Sequence, residues 1–347
     1  MCQLCNNNFE GVRWLDCSNC PLLNIITNIG GLDHLNCSNS TLLTSITNIE
    51  GLDYLNCSYC PLLTSIPNIE NLEKLECTYC PLLNSIPNIE NLEVLECSNC
   101  PLLTSIPNIA RLCTLNCVNC LTLTNIPNIK GLKSLECSNC PLLTNIPAIE
   151  EIKDLSCSNC LLITSIPNIK FLKSLDCSNC LLLNNIPNFK FLTSLDCSNC
   201  PLLVNIPNIK TLKTINCNNC PLLVNIQNNN NNRLRYIYCQ NCPMLMYVPY
   251  ILNIVYDIDL LKTPFKKSKY LTNTKMNKMY NNIFNLWKLY KLRSYALYLE
   301  REIYSNPILP YMKYYINNEV YNNSLEDISK FRIGFINKEN KLIWYTL

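Results

Sequence analysis

The stretch Leu132–Glu151, LKSLECSNCPLLTNIPAIEE, decides how the rest of the chain is read. Shifted by twenty residues in either direction, it meets nearly the same letters, and self-similarity at a fixed period takes precedence over any single motif inside it. Its unit is L-x-x-L-x-C-x-x-C-P-L-L-x-x-I-P-N-I-x-x, with the first position at Val12, Leu32, Leu52, Leu72, Leu92, Leu112, Leu132, Ile152, Leu172, Leu192 and Leu212. A twelfth copy starts at Leu234, a step of 22 residues, because the Asn run from Asn228 to Asn232 inserts two extra. An insertion of that kind costs least in a loop outside stacked strands.

Within the unit, apolar positions 1, 4 and 6 flank polar positions 2, 3 and 5. This alternation predicts a short strand around positions 3 to 5 with one side inward and one side in solvent. The next inward positions are 9, 11 or 12, 15 and 18. Twenty residues leave no room for a long helix on the return path, and Pro at position 16 in most copies and at position 10 in many opposes one. The return is therefore expected to be extended or 3₁₀. No single copy can bury its own apolar set, so the copies must stack into a solenoid with a parallel sheet along its concave face.

The pattern resembles the leucine-rich repeat family, on residues such as Leu132, Leu135, Cys137, Cys140, Leu142, Ile146 and Pro147. The resemblance runs from Val12 to about Ile251 and implies a leucine-rich-repeat solenoid. Position 9 in that family is usually Asn or Cys, whereas Cys at position 6 departs from its aliphatic norm. With only three alanines against abundant Asn, Ile, Lys and Tyr, the chain is similar to leucine-rich-repeat proteins of mimivirus-like giant DNA viruses. The expected organisation is an amino-terminal cap (1–11), twelve repeats (12–251) and a small mixed α/β carboxy-terminal cap and basic, Tyr-rich segment (252–347).

Of the 26 cysteines, 23 fall at position 6 or 9, and Cys2, Cys5 and Cys113 do not. C-x2-C-x16-C-x2-C is a zinc spacing when met alone. Here it runs in phase with Leu, Ile and Pro, so coil geometry explains it, and zinc gives no reason for an unbroken ladder. Buried thiols pack as small hydrophobes, and at position 9 a weak S–H donor can meet loop backbone as Ser40 does in the second copy. Stacked strands about 4.8 Å apart would allow disulfides. The start MCQLCNNNFEGVRW has neither a basic n-region nor an apolar h-region, so the chain is expected to be intracellular, in host cytoplasm or virion, with reduced thiols. No run approaches eighteen apolar residues, and a transmembrane span is not expected.

If sulfur is packing, recognition falls to positions 2, 3, 5, 7 and 8. Position 2 reads Arg13, Asp33, Asp53, Glu73, Glu93, Cys113, Lys133, Lys153, Lys173, Thr193, Lys213 and Arg235, changing sign halfway. Position 19 follows it, with Glu50, Glu70 and Glu90, then Lys130, Lys170, Lys190 and Lys210. Carboxylates about 5 Å apart repel by about 1 to 3 kcal/mol per pair, which a basic partner would relieve. The expected partner surface is Trp14, His34, Tyr54, Tyr59 and Tyr79 with Glu73, Glu76, Glu93 and Glu96, because rigid aromatics beside unpaired charge make interaction hot spots. The recurring Ser-Asn at positions 7 and 8 reads as turn chemistry.

Past Pro249 the period fades. Ile254 to Leu260 is expected to supply a last capping strand, 281–304 an amphipathic helix with Leu286, Leu289, Leu292, Ala296, Leu299 and Ile303, and the final FRIGFINKENKLIWYTL two short strands around a polar turn. Leu260 to Leu299 holds nine basic residues and no acidic one, which raises a peripheral membrane or nucleic-acid adaptor as an alternative. The net charge of +3 gives no global ground for either, and neither partner is expected. A single histidine and six glycines offer no catalytic dyad and no phosphate loop, and the acidic stripe is no convergent pair in a pocket. The expected function is a non-enzymatic, monomeric protein-interaction scaffold without cofactor, binding a basic partner protein, with thiol-rich zinc binding as a further alternative.

Overall fold

In a computed structural model, the described residues are 11–227, 233–242, 244 and 245, together with the backbone of four strands, 255–257, 314–316, 332–336 and 342–346. The predicted helix 281–304 and the amino-terminal cap lie outside them.

Twelve three-residue strands, one per copy, fill positions 3 to 5, from Trp14–Asp16 to Tyr236–Tyr238, and Val255–Asp257 adds a last one to make a 13-stranded parallel sheet in chain order. We call each copy a coil and number the coils 1 to 12; twelve strands enclose eleven full turns. The register never slips: Trp14 faces His34, Leu95 faces Leu115, and Ser194 faces Thr214. It survives the 22-residue step, where Thr214 faces Tyr236. Val255 pairs with Tyr236 in the same sense, in place for the capping strand expected there. The chain's last two strands, Arg332–Ile336 and Leu342–Thr346, pair antiparallel, and Tyr314–Ile316 joins them.

One core runs the length of the spiral, lined by positions 1, 4, 6, 9, 12, 15 and 18. Position 12, not 11, is the inward one: Leu143 is fully buried while Leu142 is half-exposed. The cause is the turn at positions 10 and 11, closed by a hydrogen bond from the position-12 N–H to the position-9 carbonyl, as Leu143 to Cys140. That turn puts residue 11 at its outer corner.

The return path is extended and turn-linked, with no 3₁₀ run among the described residues. Its pairing follows proline. At position 15, the carbonyl of Ile26 accepts from the N–H of Thr47, and that of Ile206 from Gln227. The donors belong to coils 2 and 11, whose position 16 is Thr47 and Gln227 rather than Pro, and there a second, two-stranded parallel ladder forms: Ile25–Ile26 with Ser45–Ile46, and Asn205–Ile206 with Asn225–Ile226. In coils 3 to 10 position 16 is Pro67 to Pro207, which has no N–H to give, and pairing shrinks to isolated bridges such as Ser105 to Asn125. The Pro carbonyl instead closes a tight turn on residue 18, as Ile109 N–H to Pro107.

Candidate functional site

The sulfur ladder comes first, because the face depends on what holds it. Every position-6 and position-9 cysteine among the described residues is buried, and none is in a disulfide. The position-9 thiol donates to the position-6 carbonyl of the preceding coil, as Cys80 to Cys57 at 3.2 Å and Cys200 to Cys177 at 3.1 Å. Ser40 makes the same bond to Cys17 with its hydroxyl, at 3.3 Å. The two residue types are interchangeable donors there. The position-6 thiols of Cys37, Cys97, Cys137, Cys177 and Cys217 donate to the position-5 carbonyl of the next coil, as Cys97 to Asn116 at 3.4 Å.

Burial drives these thiols far up in pKa: Cys57 and Cys77 rise well above the ordinary range, and Cys80 and Cys100 are pushed up to about 12. Cys120 and Cys242 move the other way, lowered first by the thiol contacts with Cys97 and Cys217. A metal requires thiolate, and the raised thiols, Cys57, Cys77, Cys80 and Cys100 among them, favour the protonated form. Among the described residues no group of three or more His, Cys, Asp or Glu side chains is placed to hold a metal ion.

The strand ends with an Asx turn wherever position 5 is Asn or Asp and reaches the position-7 N–H, as Asn56 to Ser58 at 3.0 Å and Asp196 to Ser198 at 2.9 Å. Position 8 then takes positive φ in all twelve coils, between 54° and 60°. Asn occupies it in ten coils, and neighbouring amides bond along the stack, as Asn119 to Asn99 at 2.7 Å. Asn tolerates this region; bulkier residues pay for it, by about 1 kcal/mol or more.

Tyr59 and Tyr79 occupy that same left-handed position in coils 3 and 4. Their rings stack with centroids 4.6 Å apart and planes 10° from parallel, and about half of each side chain is in solvent. On the other side of the strands Trp14, His34 and Tyr54 form a tilted row, with centroids 6.2 and 5.9 Å apart. The predicted aromatics therefore make two clusters, one at each margin of the sheet, with the position-5 column between them.

Glu76 and Glu96 stand in that column, side by side in register. They replace the Asn or Asp of other coils and are free of the Asx turn. Glu76 takes the ammonium of Lys74 at 2.7 Å, and Lys74 also lies 5.4 Å above the Tyr54 ring. Tyr54 is raised in pKa, first by burial and then by the neighbouring Glu76 charge, to which it is also hydrogen-bonded. Glu96 is raised by burial, against a lowering bond from Asn116, with Glu136 and Glu76 adding repulsion. Glu73 and Glu93 are exposed at position 2. Of the four predicted glutamates, Glu76 is thus already paired within the molecule. At position 2, Arg13 pairs with Asp33.

Sequence reasoning missed a second aromatic pair. Phe171 and Phe191, at position 20, stack with centroids 6.0 Å apart, 40% and 38% exposed, with the Lys170 and Lys190 ammonium groups 5.0 and 5.3 Å from their ring centres. The signal was present: position 20 elsewhere is Gly, Asn, Thr or a charged residue.

No family model matches the chain, and no curated protein does. Two solved structures are similar to it. A leucine-rich repeat protein from Bacteroides ovatus has 15% identity and a TM-score of 0.36, covering 71% of this chain and 85% of its own. The functional domain of InlJ from Listeria monocytogenes, which includes a cysteine ladder, has 20% identity and a TM-score of 0.33, covering 74% of this chain and 62% of its own. By their own register and burial, the described residues from 12 to 245 form a parallel β solenoid built on cysteine-containing coils of about 20 residues. No helix among the described residues is long and apolar enough to cross a membrane.

Proposed function

We propose that the chain is a protein-interaction scaffold whose coils 1 to 5 dock a partner protein with a basic surface. The observation that carries this is the pair Tyr59 and Tyr79, held in left-handed backbone where ten other coils use Asn, and left half-exposed. Packing does not require tyrosine there, and the interior is the same in the Asn coils. Strained, exposed aromatics point to use at a surface.

The acidic residues around them support the sign of the partner. Glu73 and Glu93 are exposed, burial pushes the Glu96 carboxyl up in pKa, and a cation seated near it would pull it back down. Trp14, His34 and Tyr54 give the same surface rigid apolar area. No catalytic role is assigned to any residue. The Asn, Ile, Lys and Tyr bias supports placing the scaffold among viral or host-interaction factors, and the protonated ladder suits a reducing, intracellular setting.

The test is capture of partners from native cell extract followed by crosslinking and mass spectrometry, with the full chain and with Glu73→Lys, Glu76→Lys, Glu93→Lys and Glu96→Lys combined. Crosslinks should concentrate between Trp14 and Glu96 and disappear in the variant. Equal capture by both proteins would place the site elsewhere.

A further inference from the structure

Most charged side chains of coils 2 to 11 fall in the same two columns. Positions 19 and 2 flank the turn that leads into each strand, and together with position 20 they form one lip of the sheet. Counting positions 19 and 20 with the coil whose strand they lead into, this lip carries Glu50, Asp53, Glu70, Glu73, Glu90 and Glu93 in coils 3 to 5. In coils 7 to 9 it carries Lys130, Lys133, Lys153, Lys170 and Lys173, with Glu150 and Glu151 as the exceptions. All of these side chains are exposed except the half-buried Asp53.

Both sets are built on one lattice, because the register holds coil after coil at the strand spacing of about 4.8 Å. A second copy turned end for end, with the two-fold axis through coil 6, lays coil 5 on coil 7, coil 4 on coil 8 and coil 3 on coil 9. Glu93 then meets Lys133, Glu90 meets Lys130, Glu73 meets Lys153, Asp53 meets Lys173, and Glu50 meets Lys170. By symmetry each pairing occurs twice, and the like pairs across coils 3 to 9 are Glu70 with Glu150 and, on the axis, Arg111 with its own copy. Two copies laid side by side in the same direction would instead set like charge on like.

The exposed phenylalanines select the register. With the axis through coil 6, Phe171 comes opposite Gly51 and Phe191 opposite Gly31. Both glycines have positive φ and nothing within 4 Å of where a Cβ would stand, so there is room for a ring. Moving the axis between coils 6 and 7 also matches five opposite charges, but it sets Phe171 against Asn71. The axis through coil 6 further brings Cys113, the one described cysteine that is not buried, beside its own copy.

We propose that this lip is an isologous interface: the chain pairs with a second copy of itself, antiparallel, acidic coils 3 to 5 on basic coils 7 to 9. This rests on the binding role proposed for the acidic coils, names their basic partner, and replaces the monomer expected from sequence. The sheet face with Trp14, Tyr54 and Glu96 stays open for other proteins.

The test is the mass of the full chain in solution by light scattering, from about 1 to about 100 µM protein, at about 50 and about 500 mM salt. A dimer is expected at low salt, shifting toward monomer at high salt. Reversing Asp53, Glu73, Glu90 and Glu93 to Lys should give a monomer, as should reversing Lys130, Lys133, Lys153 and Lys173 to Glu. Mixing the two variants should restore a heterodimer. A short bismaleimide should link two wild-type chains through Cys113, and Cys113→Ser should lose that link. A wild-type monomer throughout, a dimer that persists in either variant, or a link made through another thiol would overturn the proposal. Should a reversed variant fail to fold, salt dependence and the Cys113 link in the wild type decide. A monomer that still captures a basic protein through coils 1 to 5 would sink the dimer and leave the scaffold reading standing.

Discussion

Coils 2 to 5 and coils 7 to 11 have the same interior and opposite exteriors. Leu75 and Leu175 are both buried at position 4, Cys80 and Cys180 both donate to a carbonyl one coil back, and the strands pair in the same register. Outside, Glu73 is answered by Lys173, and the Tyr59–Tyr79 stack by plain Asn159 and Asn179 in the same backbone. The difference teaches that a stacked coil separates two kinds of column. Inward columns are tied to one another by packing and hydrogen bonds, so they repeat. Outward columns touch only their neighbours above and below, so charge and shape can drift along the spiral without cost to the core.

The largest expected effect should strike both halves together. Because burial raises Cys57, Cys77, Cys80 and Cys100 above the unfolded value of about 8.5, their contribution to folding is full below that pH and is lost as pH rises toward about 12. Each raised thiol removes about 1.4 kcal/mol per pH unit in that window. Circular dichroism should show cooperative unfolding that begins near pH 9, and a chain folded unchanged at pH 11 would break the shared interior.

Next come single core truncations, one in each half. Leu75→Ala and Leu175→Ala should each cost about 2 to 5 kcal/mol in chemical denaturation, and the two should agree within about 1 kcal/mol. A large disparity would mean that the halves are not packed alike.

Tyr59→Asn with Tyr79→Asn makes coils 3 and 4 like the rest. Relief of the left-handed strain outweighs the lost ring stacking, so stability should rise by about 1 kcal/mol while capture of partner falls at least about tenfold. If binding is unchanged, the tyrosines do not carry the site. The smallest effect is expected from Cys120→Ser, which keeps the donor to the Cys97 carbonyl as Ser40 does naturally to Cys17: less than about 1.5 kcal/mol by thermal denaturation.

Much of the fold was legible from Leu132–Glu151 alone, because a 20-residue period leaves little choice of what faces inward. The strand at positions 3 to 5, the parallel stack, the role of Ser40 and the turn at positions 7 and 8 all follow from that pattern. Leu142 was ambiguous with Leu143, since two adjacent leucines carry no direction until the turn between them and Cys140 is closed. The second ladder escaped notice because it depends on an N–H that proline lacks, which shows as pairing only when coils are laid side by side. At the surface, residue types were legible but contacts were not. Glu76 reads as free charge in sequence, yet Lys74, two residues away on the same side of the strand, neutralises it. Phe171 and Phe191 stand at position 20, which carries no constant residue type from coil to coil, so only the stacking of neighbouring coils brings the two rings together.

The most direct test of the sealed interior is thiol accessibility in the native chain, read by peptide mass spectrometry after brief maleimide labelling without reductant. Cys113 should be labelled, the 23 ladder thiols of coils 1 to 12 should stay unmodified in acidic and basic halves alike, and all should react once the chain is unfolded. Rapid labelling of ladder cysteines in the native protein, or thiols that stay blocked after unfolding, would contradict it.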